Sequence, residues 1–176
     1  MGLARAHIPV KLIVGLISCR LTHFDAAKNV LKRKYGDIDG ETEPLDFSCT
    51  RYYAEELGEN LKRKFLSFRS LIPLDRQCRI KLFTNKLEKK FSCRLKRAIN
   101  IDPGYVSLTK LVLFTTKPRS HRIYIESGIY ADIELLFSDK TFHPVEWSYP
   151  DFKTKGYIDF FNSVRATYSN QIKPLL

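Results

Sequence analysis

Apolar positions in the first half of the chain alternate between strand spacing and helix spacing. Residues 9–17 form an apolar run typical of a buried strand, and residues 22–36 have helical spacing between a capping pair and a glycine. Further strands are predicted at 43–47 and 64–71. Residues 75–91 are predicted to form a second long helix. Its apolar stripe comprises Ile80, Phe83, Leu87 and Phe91.

The second half of the chain is predicted to contain a strand, a β hairpin and a final helix. Residues 97–101 should form the strand and end at Asp102–Tyr105, because Pro followed by Gly suits the centre of a type II turn. Alternation around Gly128 predicts a hairpin with a three-residue loop, in which Ile125 pairs with Ile129. The last apolar residues return to helical spacing, at Tyr157, Phe161, Val164, Tyr168 and Ile172.

This order of elements indicates an α+β fold. We expect a ferredoxin-like βαββαβ core with an added C-terminal β hairpin and closing helix. The absence of repeats and Gly/Ser linkers favours a single domain over residues 1–176. With 44% hydrophobic residues, the chain has enough apolar side chains for a core without disulfides or metal. The cysteines are therefore interpreted as small buried residues at Cys19, Cys49, Cys78 and Cys93.

Positive charge is concentrated in one segment of the chain. The net charge is +11, and residues 61–125 alone hold 17 Lys or Arg against 3 Asp or Glu. Such a distribution predicts one electropositive surface, which attracts phosphates, nucleotides or RNA. On the predicted helix, Arg79, Lys86 and Lys90 share one flank and are the candidate polyanion-binding residues. The alternative is a solvated basic face with no partner.

Short sequence motifs do not identify a reaction. We find no phosphate loop, dinucleotide-binding fingerprint, nucleophile elbow or HExxH metal motif, so no cofactor or metal is assigned. The tetrapeptide Asn85–Glu88 resembles the guanine-reading NKxD only faintly, since Glu replaces Asp and Leu87 belongs to the apolar stripe. No apolar run approaches the ~20 residues of a membrane span, so we expect a cytoplasmic protein without a membrane partner.

The richest polar segment is Thr115–Arg122, which should form a loop at the entrance to the hairpin. We expect this loop, the turn at Asp102–Tyr105 and the polar face of the hairpin to converge on one concave pocket. Hydroxyl, amine, imidazole and guanidinium groups together suit a phosphate or a carboxylate. The candidate ligand-binding residues are Tyr105, Thr116, Lys117, Arg122, Tyr124 and Tyr130.

Three classes of function are compatible with these residues. The first is a module that binds a phosphorylated ligand, either nucleotide or RNA. The second is an enzyme that acts on a small phosphorylated substrate by acid–base or metal-assisted chemistry. The third is a protein-interaction module, for which the sequence indicates no particular partner. The candidate catalytic residues of the enzyme reading are Asp102, His121, Asp132 and Glu134.

Several segments together resemble a known family. They include 9–12, 52–58, 63–68, 80–85, 100–105, 116–117, 121–124, 128–130 and 147–151. Through them the chain is similar to the uncharacterised prokaryotic family called domain of unknown function 4416. The resemblance implies a stand-alone bacterial or archaeal protein, and it transfers no catalytic role because the family has no established activity. Some members carry the label "GTP-binding protein". Ser148 replaces the Thr expected in the family's W-T-Y-P-D segment.

Overall fold

The first strand, β1, lies inside the molecule and is buried along its whole length. The computed structural model describes residues 2–3, 6–49, 53–92 and 96–175. In it, β1 is Val10–Ser18, and every residue of the strand is buried. A strand buried on both faces must have a layer of structure on each side.

Eight further strands join β1 in one antiparallel sheet within the described ranges. They are β2 (Ile38–Glu41), β3 (Leu45–Asp46), β4 (Lys62–Ile72), β5 (Asn100–Val106), β6 (Lys110–Thr115), β7 (Ile123–Glu126), β8 (Ile129–Ser138) and β9 (Thr141–Pro144). The strand order is β2-β4-β1-β5-β6-β8-β7, with β3 also paired to β4 and β9 to β8. This mixed α+β architecture confirms the predicted α+β class. The nine-stranded sheet is larger than one built from a four-stranded core and one hairpin.

Helices cover both faces of the sheet. They are α1 (Leu21–Tyr35), α2 (Ala54–Leu57), α3 (Gln77–Phe91) and α4 (Lys155–Ile172). Helices α1 and α3 pack on one face, where Leu12 and Leu16 of β1 meet Leu31 and Leu87. Helix α4 packs on the other face. All five of its predicted apolar residues are buried, as the helical spacing requires.

Most predicted elements are present, with small shifts in their bounds. Thr22 lies inside α1, whose N-cap is Arg20, so the predicted cap is wrong. The strand predicted at 43–47 is present but shorter, as β3 at Leu45–Asp46. Strand β2 precedes it and was not predicted, and both strands pair with β4. A short helix, α2, precedes β4.

The cysteines are not all core residues. Cys78 is buried as predicted, whereas Cys19 and Cys49 are exposed, which corrects the prediction for these two. Cys93 lies outside the described residues. Within the described ranges, no three His, Cys, Asp or Glu side chains are grouped so as to hold a metal ion. No helix in these ranges has the length and apolar composition that crossing a membrane requires.

The hairpin forms with a shorter turn than predicted. Glu126 pairs with Ile129, so Ser127 and Gly128 alone form the turn and Ile125 is out of register. Both turn residues have positive φ, 53° and 74°, which is the combination found in a type I′ turn. The predicted pairing of Ile125 with Ile129 is therefore wrong. The twist of a type I′ turn matches that of paired strands, and this favours the shorter loop.

The faces of the hairpin also differ from the prediction. Ile123 pairs with Ala131 as predicted, yet Ile123 is 64% exposed. Asp132 and Glu134, assigned to a solvent or cleft face, are buried. A bulge in β8 at Glu134 interrupts the alternation, so residues on either side of it change faces. Period-two spacing does not predict a bulge, and the face assignment fails for that reason.

The segment Asp102–Tyr105 is extended rather than turned. It belongs to β5 and pairs along β1, where Asp102 lies opposite Gly15. Gly104 is not among the glycines with positive φ, which the central position of a type II turn requires. The predicted turn is therefore wrong. Pairing with the fully buried β1 overrides the local preference of Pro and Gly for a turn.

Pro103, in the same segment, limits the length of the pairing between β5 and β6. Their pairing runs from Val106 to Gly104 and does not extend to Pro103, which has no N–H to donate. Beyond this point β6 continues alongside β8 as far as Thr115, while β5 continues alongside β1. The two neighbouring strands diverge, and the sheet is open between them at this end.

Replacing Gly104 by Ala is expected to lower the free energy of unfolding by about 1–3 kcal/mol or more. A Cβ atom at this position would lie 2.3 Å from the carbonyl oxygen of Val112, so β5 and β6 would have to separate. Urea denaturation measures the loss. Gly156→Ala is the matched control, since a Cβ there meets nothing within 4 Å. A Gly104→Ala protein as stable as the wild type would contradict this account of the strand pairing.

Candidate functional site

A cavity of about 660 Å³ lies where β5 and β6 diverge. Asn100 and Asp102 of β5 line one wall, and Leu113–Thr116 of β6 and its following loop line another. Helix α3 contributes from one side of the sheet and Tyr149–Asp151 from the other. The cavity therefore lies where the two strands separate, and residues from both sides of the sheet line it.

Charged side chains dominate the lining of this cavity. The basic residues among them are Arg63, Lys81, Lys89, Arg97, Lys117, Arg119 and Arg122. The acidic residues are Glu88, Asp102, Asp132 and Asp151. All seven basic residues come from segment 61–125, so the fold brings much of the charge excess noted in the sequence to one place.

Arg63 is the most deeply buried basic residue of the cavity. Its side chain is 4% exposed, and Nη1 donates to Oδ2 of Asp151 at 2.6 Å. The guanidinium lies over the rings of Phe47, Phe65 and Phe152, 4.8–5.6 Å from their centroids. Nε has no hydrogen-bond partner among the described residues. Burial opposes the charge, yet neighbouring carboxylates hold the pKa of Arg63 above its ordinary value.

Asp102 is the centre of a polar network on the β5 wall. It accepts a hydrogen bond from Nδ2 of Asn100 at 2.6 Å and lies 3.4 Å from Nζ of Lys81, which also donates to the carbonyl of Ile101. Burial by itself would raise the pKa of Asp102. The charges of Lys81 and Arg63, with the Asn100 hydrogen bond, hold this pKa below its ordinary value. Asp102 is therefore ionised at neutral pH.

Arg97 connects this network to α2 and α3. It donates to both carboxylate oxygens of Glu56, at 2.5 and 2.6 Å, and to Glu88 and Asn100 at 2.9 Å each. Glu88 also accepts the backbone N–H of Ile101 at 2.6 Å. Burial raises the pKa of Glu88 despite these partners. Because Arg97 is bound by two carboxylates, its charge is compensated within the protein.

Arg122 organises the loop side of the cavity. Its Nε donates to Asp132 at 2.7 Å, Nη1 to the carbonyl of Lys117 at 2.9 Å and Nη2 to the hydroxyl of Tyr149 at 3.0 Å. The side chain is 5% exposed. Arg122 thus holds together the loop, strand β8 and the segment before α4, and each of its three nitrogens already has a partner.

His121 lies beside the cavity and not in it. With Ser120, Glu146 and Trp147 it lines a separate, open surface pocket. Its ring stacks on that of Trp147 with centroids 5.1 Å apart. Nε2 lies 3.7 Å from Oδ1 of Asp132, an oxygen with no hydrogen-bond partner among the described residues. The geometry brings the predicted pair His121 and Asp132 together without a hydrogen bond.

Glu134 is fully buried behind the cavity wall. Its Oε2 accepts the N–H of Tyr149 at 3.2 Å, and its backbone carbonyl accepts the hydroxyl of Ser148 at 2.5 Å. Burial, and next the charge of Asp132, raises the pKa of Glu134 to about 8. Glu134 is therefore mainly protonated at neutral pH and supports the segment that carries Tyr149 and Asp151.

The structure brings together some of the predicted site residues and separates others. Asp102, Thr116, Lys117, Arg122 and Asp132 line the cavity. The described cavity lining does not include His121, Glu134, Tyr105, Tyr124 or Tyr130. The predicted convergence of all three segments is thus wrong for the three tyrosines, for His121 and for Glu134.

These tyrosines have other surroundings. Tyr105 packs against the core under α1 and α3, with its ring 6.0 Å from that of Phe114. Tyr124 and Tyr130 form an edge-to-face pair across the hairpin, with centroids 5.4 Å apart. They were predicted to line a cleft together with Asp132, but the cavity lining does not include them.

Arg79, Lys86 and Lys90 are exposed on α3, as predicted, and do not line the cavity. At 3.6 residues per turn they lie roughly opposite Lys81 and Glu88, which do. The predicted polyanion flank and the cavity are therefore two different faces of one helix.

Several residues of the cavity are not among the candidate site residues named from the sequence. They are Arg63, Lys81, Asn85, Glu88, Arg97 and Asp151. A signal exists for three of them: Lys81, Asn85 and Glu88 recur at i, i+4 and i+7 beside the apolar stripe of α3. Arg63 and Asp151 are 88 positions apart, and no local pattern predicts that they pair.

Fold and cavity define an α+β protein with a charged cavity at the open end of an antiparallel sheet, an architecture that serves both binding and catalysis. The chain belongs to the family described as Domain of unknown function (DUF4416), whose model matches residues 8–168. That description assigns no activity. No curated protein and no solved structure matches the chain in these comparisons.

Proposed function

We propose that this protein binds a small phosphorylated ligand, of about nucleotide size, in the cavity between β5 and β6. The observation that carries the proposal is the surplus of positive charge in the cavity. Each lining carboxylate already has a cationic partner: Glu88 with Arg97, Asp102 with Lys81, Asp132 with Arg122 and Asp151 with Arg63.

Two other basic residues of the lining are Lys89 and Arg119. Within the described part of the chain, no carboxylate forms an ion pair with Lys89 or Arg119. A ligand with several negative charges would compensate this surplus, and phosphate is the group that clustered Lys and Arg recognise best.

The volume of the cavity and the aromatic side chains in its lining indicate which phosphorylated ligands fit. A volume of about 660 Å³ falls within the range of about 300–1,000 Å³ that is typical of small-molecule sites. Phe47, Tyr53 and Tyr149 also line the cavity, so a flat ring has aromatic surfaces to pack against. A nucleotide has both a phosphate and a flat ring.

We also propose a ferredoxin-like core, a single domain and a cytoplasmic location for this protein. Strands β2, β4, β1 and β5 with α1 and α3 form the ferredoxin-like core, supported by the order β2-β4-β1-β5 and by two helical crossovers. Each crossover joins two strands that have one strand between them. The other strands and α4 are additions within a single domain, and the protein acts in the cytoplasm.

Charge reversal at Lys89 is expected to weaken binding of a phosphorylated ligand by about tenfold or more, since a contact worth about 1.4 kcal/mol or more is lost and repulsion is added. Lys90→Glu is the matched control: the neighbouring lysine is equally exposed and on the same helix, but it does not line the cavity. Its affinity should change less than about twofold, because solvent and salt screen it.

The binding measurement uses calorimetry with nucleoside monophosphates and diphosphates, the matching unphosphorylated nucleosides, and inorganic phosphate. Mass spectrometry of compounds that co-purify with the native protein identifies the physiological ligand. The proposal fails if phosphorylated and unphosphorylated compounds bind equally, or if Lys89→Glu and Lys90→Glu have the same effect.

A further inference from the structure

Helix α3 has an outer face whose positive charge is not compensated. Arg79, Lys86 and Lys90 are exposed there, and the only carboxylate of α3, Glu88, is buried. Within the described ranges, none of these three cations forms an ion pair. Four other surface lysines are paired with carboxylates, namely Lys28 with Glu41, Lys32 with Asp37, Lys62 with Asp46 and Lys155 with Asp159. Other exposed lysines, such as Lys140, Lys153 and Lys173, are spread over separate elements and do not share one helix face.

Lys89 lies between this face and the part of α3 that lines the cavity. Lys89 lines the cavity, and Lys86 lies about 60° from it around the helix at 3.6 residues per turn. Lys86 and Lys90 are one turn apart and are neighbours on the helix surface. From Arg79 to Lys90 the helix rises about 16 Å. That length accommodates several consecutive phosphates, since a stacked strand rises about 3.4 Å along its axis per nucleotide.

We propose that the phosphorylated ligand is the end of a single-stranded nucleic acid. Its terminal nucleotide enters the cavity, and its following phosphates lie along the face formed by Arg79, Lys86 and Lys90. This inference rests on the proposed function, because it uses the same cavity. A mononucleotide would leave the outer face of α3 without a role, whereas a strand uses both surfaces. The terminal nucleotide must be unpaired, since a base pair is too wide for a cavity of this size.

The probes that test this are fluorescein-labelled oligouridylates of about ten nucleotides, within the usual site size for single strands. One has a 5′ phosphate, one a 3′ phosphate and one neither. A uridine monophosphate is measured in parallel. The test variant is R79E/K86E/K90E, and the charge-matched control is K140E/K155E/K173E, whose three lysines are exposed away from α3. Binding is measured by fluorescence anisotropy at several salt concentrations.

We expect at least one phosphorylated oligonucleotide to bind about tenfold more tightly than the unphosphorylated one. R79E/K86E/K90E should weaken oligonucleotide binding by about tenfold or more at low salt. The slope of log K against log salt concentration should also become shallower by roughly 2, since three phosphate contacts are removed. The same variant should change mononucleotide affinity less than about twofold, and the control variant should retain both activities. Lys89→Glu should weaken both.

Other results would overturn the inference. If R79E/K86E/K90E and the control behave alike, or if end phosphates have no effect, the strand does not use these surfaces. If the wild type binds anionic phosphatidylserine vesicles and not the oligonucleotides, the outer face recognises a lipid surface instead. Intact mononucleotide binding in these cases would leave the proposed function standing, whereas loss of mononucleotide binding from the wild type would remove both.

Discussion

Replacing Arg63 by Met is expected to lower the free energy of unfolding by about 3–5 kcal/mol. Asp151, whose side chain is 8% exposed, would keep a buried negative charge without its partner at 2.6 Å. The three aromatic rings around the guanidinium would also lose their cation–π contacts. Urea denaturation at neutral pH measures the difference. A loss below about 1 kcal/mol would show that the pair is not buried as described.

The double variant Arg63→Met/Asp151→Leu separates stability from binding. Replacing both members of a buried ion pair by apolar residues is often neutral or stabilising, so most of the lost stability should return. Binding of a phosphorylated ligand should remain weak, because Arg63 is the innermost basic residue of the cavity. If the double variant is stable and binds as the wild type does, Arg63 has only a structural role.

Stability is expected to fall as the pH rises, because of Glu134. The folded protein keeps its proton up to a pKa of about 8, whereas an unfolded glutamate releases it near pH 4.3. Between these values the folded state binds more protons than the unfolded state, so the stabilising contribution is complete below the unfolded pKa and is lost as the pH rises through 8. At about 1.4 kcal/mol per pKa unit, the loss amounts to roughly 3–5 kcal/mol.

Glu134→Gln should remove this contribution to the pH dependence. Glutamine is neutral at all pH values, and its amide oxygen can still accept the N–H of Tyr149. The variant should therefore be more stable than the wild type at pH 8.5, measured by urea denaturation across the pH range. Glu146→Gln, which removes an exposed carboxylate from the segment that follows β9, is the control and should change stability by less than about 0.5 kcal/mol. Parallel pH profiles for Glu134→Gln and the wild type would contradict the prediction.

The charge distribution along the sequence predicted a concentration of basic residues, and the structure places several of them around one cavity. All the basic residues of the cavity come from segment 61–125, and Thr116, Lys117 and Arg122 of the predicted loop lie in the lining. Pattern analysis could not identify Arg63, because its role depends on Asp151, 88 positions away. It also placed Asp102 in a turn, although the position of Asp102 in the cavity depends on its being in an extended strand.

By itself, the sequence determined the strands and helices whose apolar spacing is regular. Strand β1, the stripe of α3 and the buried face of α4 follow directly from side-chain spacing, because burial of apolar surface is the dominant favourable contribution to folding. The tertiary structure alone decided the hairpin register, the bulge at Glu134 and the extended form of Asp102–Tyr105. Each depends on a neighbouring strand, and the divergence of β5 from β6 that creates the cavity arises only when the whole sheet is assembled.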